Sequence, residues 1–231
     1  MTPARTRVHA FGDDALGDHD AVGLAEEIRS GRVSRQEAVE AAVDRTRTLD
    51  GVLNGLAADR FSSAAAEARE THPGFFAGVP TFVKDNSDVA GLPTQQGTRA
   101  YVAEPATADG DFARMFGLVG TTVLGKTRLS EYGFSPSAEY KDDVPVRNPW
   151  HTGHTSGASS AGSAAFVAAG AVPMSHANDG GGSIRIPAAC NGLVGLKATR
   201  GRIPGDKLNR EMPVQIVHDG IVTRSVRDTA A

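Results

Sequence analysis

"SSAGSAAFVAAGAVPMSHANDGGGSIRIPA", residues 159–188, is the stretch whose reading decides the fold. It opens on serines and other small residues that run to Gly170, the pattern of a small-residue helix that stops at a glycine. "AVPMSHA" (171–177) then reads as a buried strand. A polar turn of Asp179 and three glycines follows, and a second apolar helix opens near Pro187, a residue tolerated in a helix's first turn. Helix, strand, turn and helix in direct succession place the chain in the α/β class.

The same alternation extends outward. "VPTFVKD" (79–85), "TTVL" (121–124) and "GIVTRS" (220–225) read as strands, with "GDFARMFGLVG" as a helix among them, which predicts a mixed, partly parallel sheet flanked by helices. Residues 1–70 read as a mainly helical lead-in to one domain over 1–231. "DAVGLAEEIRSG" places Val22, Ala25 and Ile28 on one face and stops at Gly31. "SRQE", Ser34 to Glu37, is a capping box for a helix that should stop at Gly51 and bury Val39, Val43 and Thr46. "FSSAAAEARE" reads as a third helix. The terminal "SVRDTAA" looks like the first turn of a helix begun at Val226 with no stop signal, so the sheet is expected to be incomplete at its C-terminal end.

Composition narrows the function classes. The 231 residues, 40% apolar, suffice for one sizeable core. A formal charge of −3 and a pI near 6.2 leave no basic footprint for nucleic acid, so a small molecule is the expected ligand; a homo-oligomer stays open. Cys190, the single cysteine, reads as a small buried hydrophobe and argues for a reducing, cytoplasmic compartment. The N-terminus lacks an apolar signal core, and nowhere do 18 uncharged apolar residues run together, so neither secretion nor a membrane span is expected.

Several chemistries can be weighed on the residues. "GTTVLGKT" (120–127) fits the phosphate-loop pattern letter for letter, but its β-branched Thr121, Thr122 and Val123 read as the strand itself, with Lys126 and Thr127 ending it and capping "RLSEYGF". His151, His154 and His176 could serve a Ser-His-Asp set, yet neither Ser159 nor Ser183 sits in G-x-S-x-G, and surface or hydrogen-bonded histidines are the expectation. One cysteine and no H-E-x-x-H leave no zinc ligand set. Lys84 ends a buried strand; if buried itself, its charged form is disfavoured and a neutral amine can act as a base. The hydroxyl-rich "TSGASSAGSAA" (155–165) could relay a proton, although such serines also cap helices.

Taken together, "GVPTFVKDN", "TSGASSAGSAAFVAAG" and "NDGGGSIRIPAACNGLVGLKATRGR" resemble the amidase signature family, whose motifs run lysine strand, G-G-S-S-G-G-S, then D-T-G-G-S-I-R-x-P-A. Order and separations both match, over nearly the whole chain. The resemblance implies a Ser-Ser-Lys mechanism: Ser183 as acyl-forming nucleophile, Ser159 as a bridging cis-serine, Lys84 as base. It further implies an oxyanion hole from the N–H groups of Gly180, Gly181, Gly182 and Ser183, with Ser160, Asp179 and Arg185 as supporting residues and neither metal nor organic cofactor.

Ala158 and Ala161 depart from two glycines of the family pattern, and Gly180 from its threonine. Ile186 stands where the tRNA-linked amidotransferase subunit of the family usually carries glutamine, which favours a free-standing hydrolase over an amidotransferase A-type subunit. Family members are substantially longer, so a truncated chain, inactive or serving only as a binding or interaction module, is the rival reading. Linear, cyclic and aryl amides and some esters all suit the implied apparatus.

Overall fold

The structure, a computed structural model, describes residues 6–70 and 73–231. Helix α1 (Ala21–Arg29) begins where the Asp20 carboxylate accepts the Gly23 N–H at 2.9 Å. Its buried face is Ala21, Leu24 and Ala25; of the predicted stripe only Ala25 is fully buried, and Val22 and Ile28 are partly buried because the face turned to the core is rotated from the predicted one. Helix α2 (Arg35–Leu53) starts at the predicted capping box, with Ser34 and Glu37 each bonding the other's backbone N–H at 3.1 and 2.8 Å. It runs through Gly51 and stops at Asn54, which adopts the left-handed conformation (φ 54°). Gly51 costs about 1 kcal/mol relative to alanine, and the fully buried Leu49 and Leu53 hold the last turn on the core regardless.

The chain continues through β1 (Leu56–Asp59), α3 (Phe61–Glu67), β2 (Pro80–Lys84), α4 (Asp111–Leu118) and β3 (Thr122–Thr127). β4 (Arg147–Asn148) and β5 (His151–Thr155) form a separate hairpin. Then come α5 (Ala161–Ala169), β6 (Met174–Asp179), α6 (Arg185–Asn191), β7 (Val194–Gly195), α7 (Lys207–Glu211), β8 (His218–Thr223) and α8 (Val226–Ala230). "RLSEYGF" contains only a single 3₁₀ turn over Glu131–Gly133, not the expected capped helix.

One three-stranded sheet has the order β1-β3-β2, with β2 parallel and β1 antiparallel to β3. The other has the antiparallel order β6-β8-β7. Side chains stitch β2 to β6: Thr81 Oγ1 donates to Met174 O at 3.0 Å, Ser175 Oγ to Phe82 O at 3.2 Å, and the Lys84 N–H to His176 Nδ1 at 3.1 Å. These bonds bring the ends of two sheets to one place, and that place carries the site.

Every residue of β2, β3 and β6 is buried, as expected of strands covered on both faces. Phe82 and Leu124 point to one face, where they meet Phe166 of α5 and the leucines of α1 and α2. Val83 and Val123 point to the other, against Phe112 and Phe116 of α4. α5 is buried all round, and its small residues permit close approach: a Cβ on Gly162 would lie 2.3 Å from the Gly55 carbonyl oxygen. Ala158 and Ala161, the two departures from glycine, are fully buried. Cys190 is exposed, contrary to expectation, because α6 buries Pro187, Ala188 and Asn191 and turns Cys190 outward.

Candidate active site

Lys84 is the last residue of β2, with no exposed surface. Its Nζ lies 2.6 Å from Ser159 Oγ and 2.6 Å from Asn178 Oδ1. Burial lowers its pKa to about 7, with Asp219 and Asp179 pulling less strongly in the opposite direction. Near neutrality a substantial fraction of the amine is therefore uncharged and able to accept a proton.

Ser159 is buried and follows a cis peptide bond at Ala158–Ser159. Its carbonyl accepts from Ser130 N at 3.3 Å and Ala161 N at 2.9 Å. Ser160 opens α5 without capping it: its hydroxyl donates to Asn178 O at 3.4 Å, and its N–H to Ser183 O at 3.4 Å. That backbone contact ties the serine loop to the glycine loop.

Asp179 ends β6 and organises the glycine loop. Its carboxylate accepts from Gly182 N (2.7 Å), Ile184 N (3.2 Å), Arg185 N (3.4 Å), and Arg185 Nε and Nη2 (2.9 Å each). Burial pushes this carboxyl up, but the Arg185 guanidinium and the three N–H groups outweigh it and hold the pKa at about 2. The Gly182 N–H, expected to face a substrate oxygen, is thus committed to Asp179. Among the described residues the N–H groups of Gly180, Gly181 and Ser183 have no acceptor. A Cβ on Gly181 would point into open space. Ser183 is partly exposed, and among the described residues its hydroxyl has no hydrogen-bond partner.

Beneath Lys84 lies a polar layer the motif reading missed. His176 accepts the Lys84 N–H on Nδ1, which fixes its proton on Nε2, and that nitrogen faces Asp219 Oδ1 at 3.1 Å; the ring stacks on Phe112. Asn178 Nδ2 reaches Asp219 Oδ1 at 3.3 Å and Asn86 Oδ1 at 3.1 Å. An asparagine in a fully buried strand was the available signal for this layer, since a buried amide must find partners. His151 and His154 lie together on β5, and among the described residues none of the three histidines bonds Ser159 or Ser183. Lys126 and Thr127 belong to a strand, not a loop: Lys126 pairs with Asp85 at 2.8 Å and Thr127 with Ser163 at 2.7 Å. Among the described residues no cluster of three or more His, Cys, Asp or Glu could hold a metal ion, and no helix is long and apolar enough to cross a membrane.

A family model described as Amidase matches residues 37–231. A Mycobacterium leprae protein that carries the amidase name AmiC is 62% identical over 97% of this chain and 48% of its own. The 6-aminohexanoate-cyclic-dimer hydrolase of Paenarthrobacter ureafaciens is 39% identical over 92% of this chain and 44% of its own. A solved structure of 6-aminohexanoate cyclic dimer hydrolase superimposes with a TM-score of 0.86 at 36% identity, covering 95% of this chain and 46% of that one. The chain spans about half the length of the curated relatives it matches.

Proposed function

Since this chain belongs to the amidase family, we propose that it hydrolyses a carboxylic amide to an acid and ammonia or an amine through an acyl-enzyme on Ser183. The observation that carries the reading is the 2.6 Å contact between a fully buried Lys84 and Ser159. Neutral Lys84 takes the Ser159 hydroxyl proton as Ser159 takes that of Ser183, and Ser183 Oγ bonds to the amide carbon. The N–H groups of Gly180, Gly181 and Ser183 stabilise the resulting oxyanion, loss of one such donor typically costing about 2.7 to 4 kcal/mol. The proton returns through Ser159 to the leaving nitrogen as the C–N bond breaks. Water, activated by the same relay, then adds to the acyl carbon and releases the acid with Ser183 restored.

In this reading Ser160, Asp179 and Arg185 hold the two loops, and no metal or organic cofactor enters any step. The similarity to a relative named as a cyclic-dimer hydrolase supports counting cyclic amides beside linear ones among the candidate substrates. A single cysteine suits a cytoplasmic setting. The second reading, a binding or interaction fragment without turnover, draws on the glycine loop, which is open at Gly181. Intact mass spectrometry after fluorophosphonate treatment separates the two. One adduct on Ser183, absent in Ser183→Ala, supports the hydrolase; folded protein without an adduct supports the fragment.

A further inference from the structure

Asn178 is buried, and its amide is held by partners of fixed polarity. Asp219 Oδ1 faces Asn178 Nδ2 from the directly opposite register position on β8. Burial pushes the Asp219 carboxyl up, but the hydrogen bond from His176 and those from Asn178 and Asn209 outweigh it, so it lies below the ordinary carboxylate range and acts as an acceptor. Asn86 closes a reciprocal amide pair, accepting from Asn178 Nδ2 at 3.1 Å and donating to Asn178 Oδ1 at 3.3 Å. The amide cannot flip without setting its oxygen against the Asp219 carboxylate. Only a carbonyl oxygen therefore faces Lys84 Nζ.

We propose that Asn178 is a positioning residue for the base: its locked carbonyl claims one N–H of Lys84 and so directs the amine lone pair at Ser159. A neutral amine has two hydrogens and one lone pair. Asn178 Oδ1 can only accept, so the lone pair cannot face it. Among the described residues the other partner of Nζ is the Ser159 hydroxyl, which can donate. The other charged groups around Lys84 are already engaged: Asp179 with Arg185, Asp219 with His176, and Lys126 with Asp85. This inference rests on the amidase reading and adds a residue to it.

The test follows the ¹³Cε shift of Lys84 with pH in ¹³C-lysine-labelled wild type, Asn178→Asp and Asn178→Leu, alongside the rate of fluorophosphonate labelling. Asn178→Asp keeps an acceptor but adds charge, so the Lys84 pKa should rise by at least about one unit, with labelling restored above the new value. Asn178→Leu removes the acceptor, so the pKa should fall while labelling drops about a hundredfold at every pH, a neutral base left misdirected. Identical Lys84 titrations in the three proteins, or wild-type labelling in Asn178→Leu above neutrality, would overturn the role of Asn178. A wild-type Lys84 titrating at its ordinary value of 10.5 would instead overturn the amidase mechanism beneath it.

Discussion

Two lysines stand on neighbouring strands, Lys84 ending β2 and Lys126 one residue short of the end of β3, and neither has any exposed surface. Burial lowers the pKa of both. Their partners differ in kind. Lys126 faces a carboxylate, Asp85 at 2.8 Å, with Thr94 Oγ1 and Pro93 O completing its shell at 2.7 and 2.9 Å. Among the described residues Lys84 Nζ bonds only neutral groups, Ser159 and Asn178. Burial makes a lysine costly to charge; the partner then decides whether it stays an ion or becomes a base.

The largest expected effect falls on reactivity. Lys84→Met should slow fluorophosphonate labelling of Ser183 by about 10²- to 10⁴-fold, the usual range for losing a positioned general base, while the protein still melts cooperatively. Lys126→Met should do the reverse. It leaves the buried Asp85 without its counter-ion and should cost about 3 to 5 kcal/mol in denaturant melts, with labelling per folded molecule little changed. If Lys126→Met proved as stable as wild type, the contrast between the two lysines would fail.

A smaller effect sharpens the contrast through pH. In the unfolded chain Lys84 keeps its proton up to 10.5, whereas in the folded chain it loses it near 7. Between those values the unfolded state binds more protons, so stability from this group rises with pH across that window. The stability difference between Lys84→Met and wild type should therefore favour Met most at pH 7 and below, and shrink toward pH 10.5. Smallest is Ser34→Ala, far from either lysine, which should cost about 1 kcal/mol by removing the cap of α2 without altering labelling.

Long or strongly patterned elements could be read from the sequence: the capping box of α2, the buried runs of β2, β3 and β6, the strand β8, and the small-residue helix α5. β1, "LAAD", could not be, because it has no β-branched alternation and becomes a strand by pairing with β3. Gly125 is the trace of that pairing, since a Cβ there would lie 2.3 Å from the Ala58 carbonyl oxygen. Local signals also failed at Gly51 and Cys190, where packing of neighbouring residues outweighs the residue's own preference. At the site, motif spacing pointed to Lys84, Ser159, Ser183 and the Asp179 loop. It could not reveal Asn178, Asn86 and Asp219 as one layer, because they meet through the register of β6 against β8 and the side-chain stitching of β2 to β6. Nor could it show that the Gly182 N–H is spent on Asp179.

The pH dependence of Ser183 labelling, followed by intact mass in wild type and Lys84→Met, tests the central claim most directly. A neutral Lys84 acting through Ser159 predicts a rate that climbs about tenfold per pH unit below neutrality, levels off above about pH 7, and collapses in Lys84→Met. A flat profile, or equal rates in the two proteins, would contradict the assignment of Lys84 as the base.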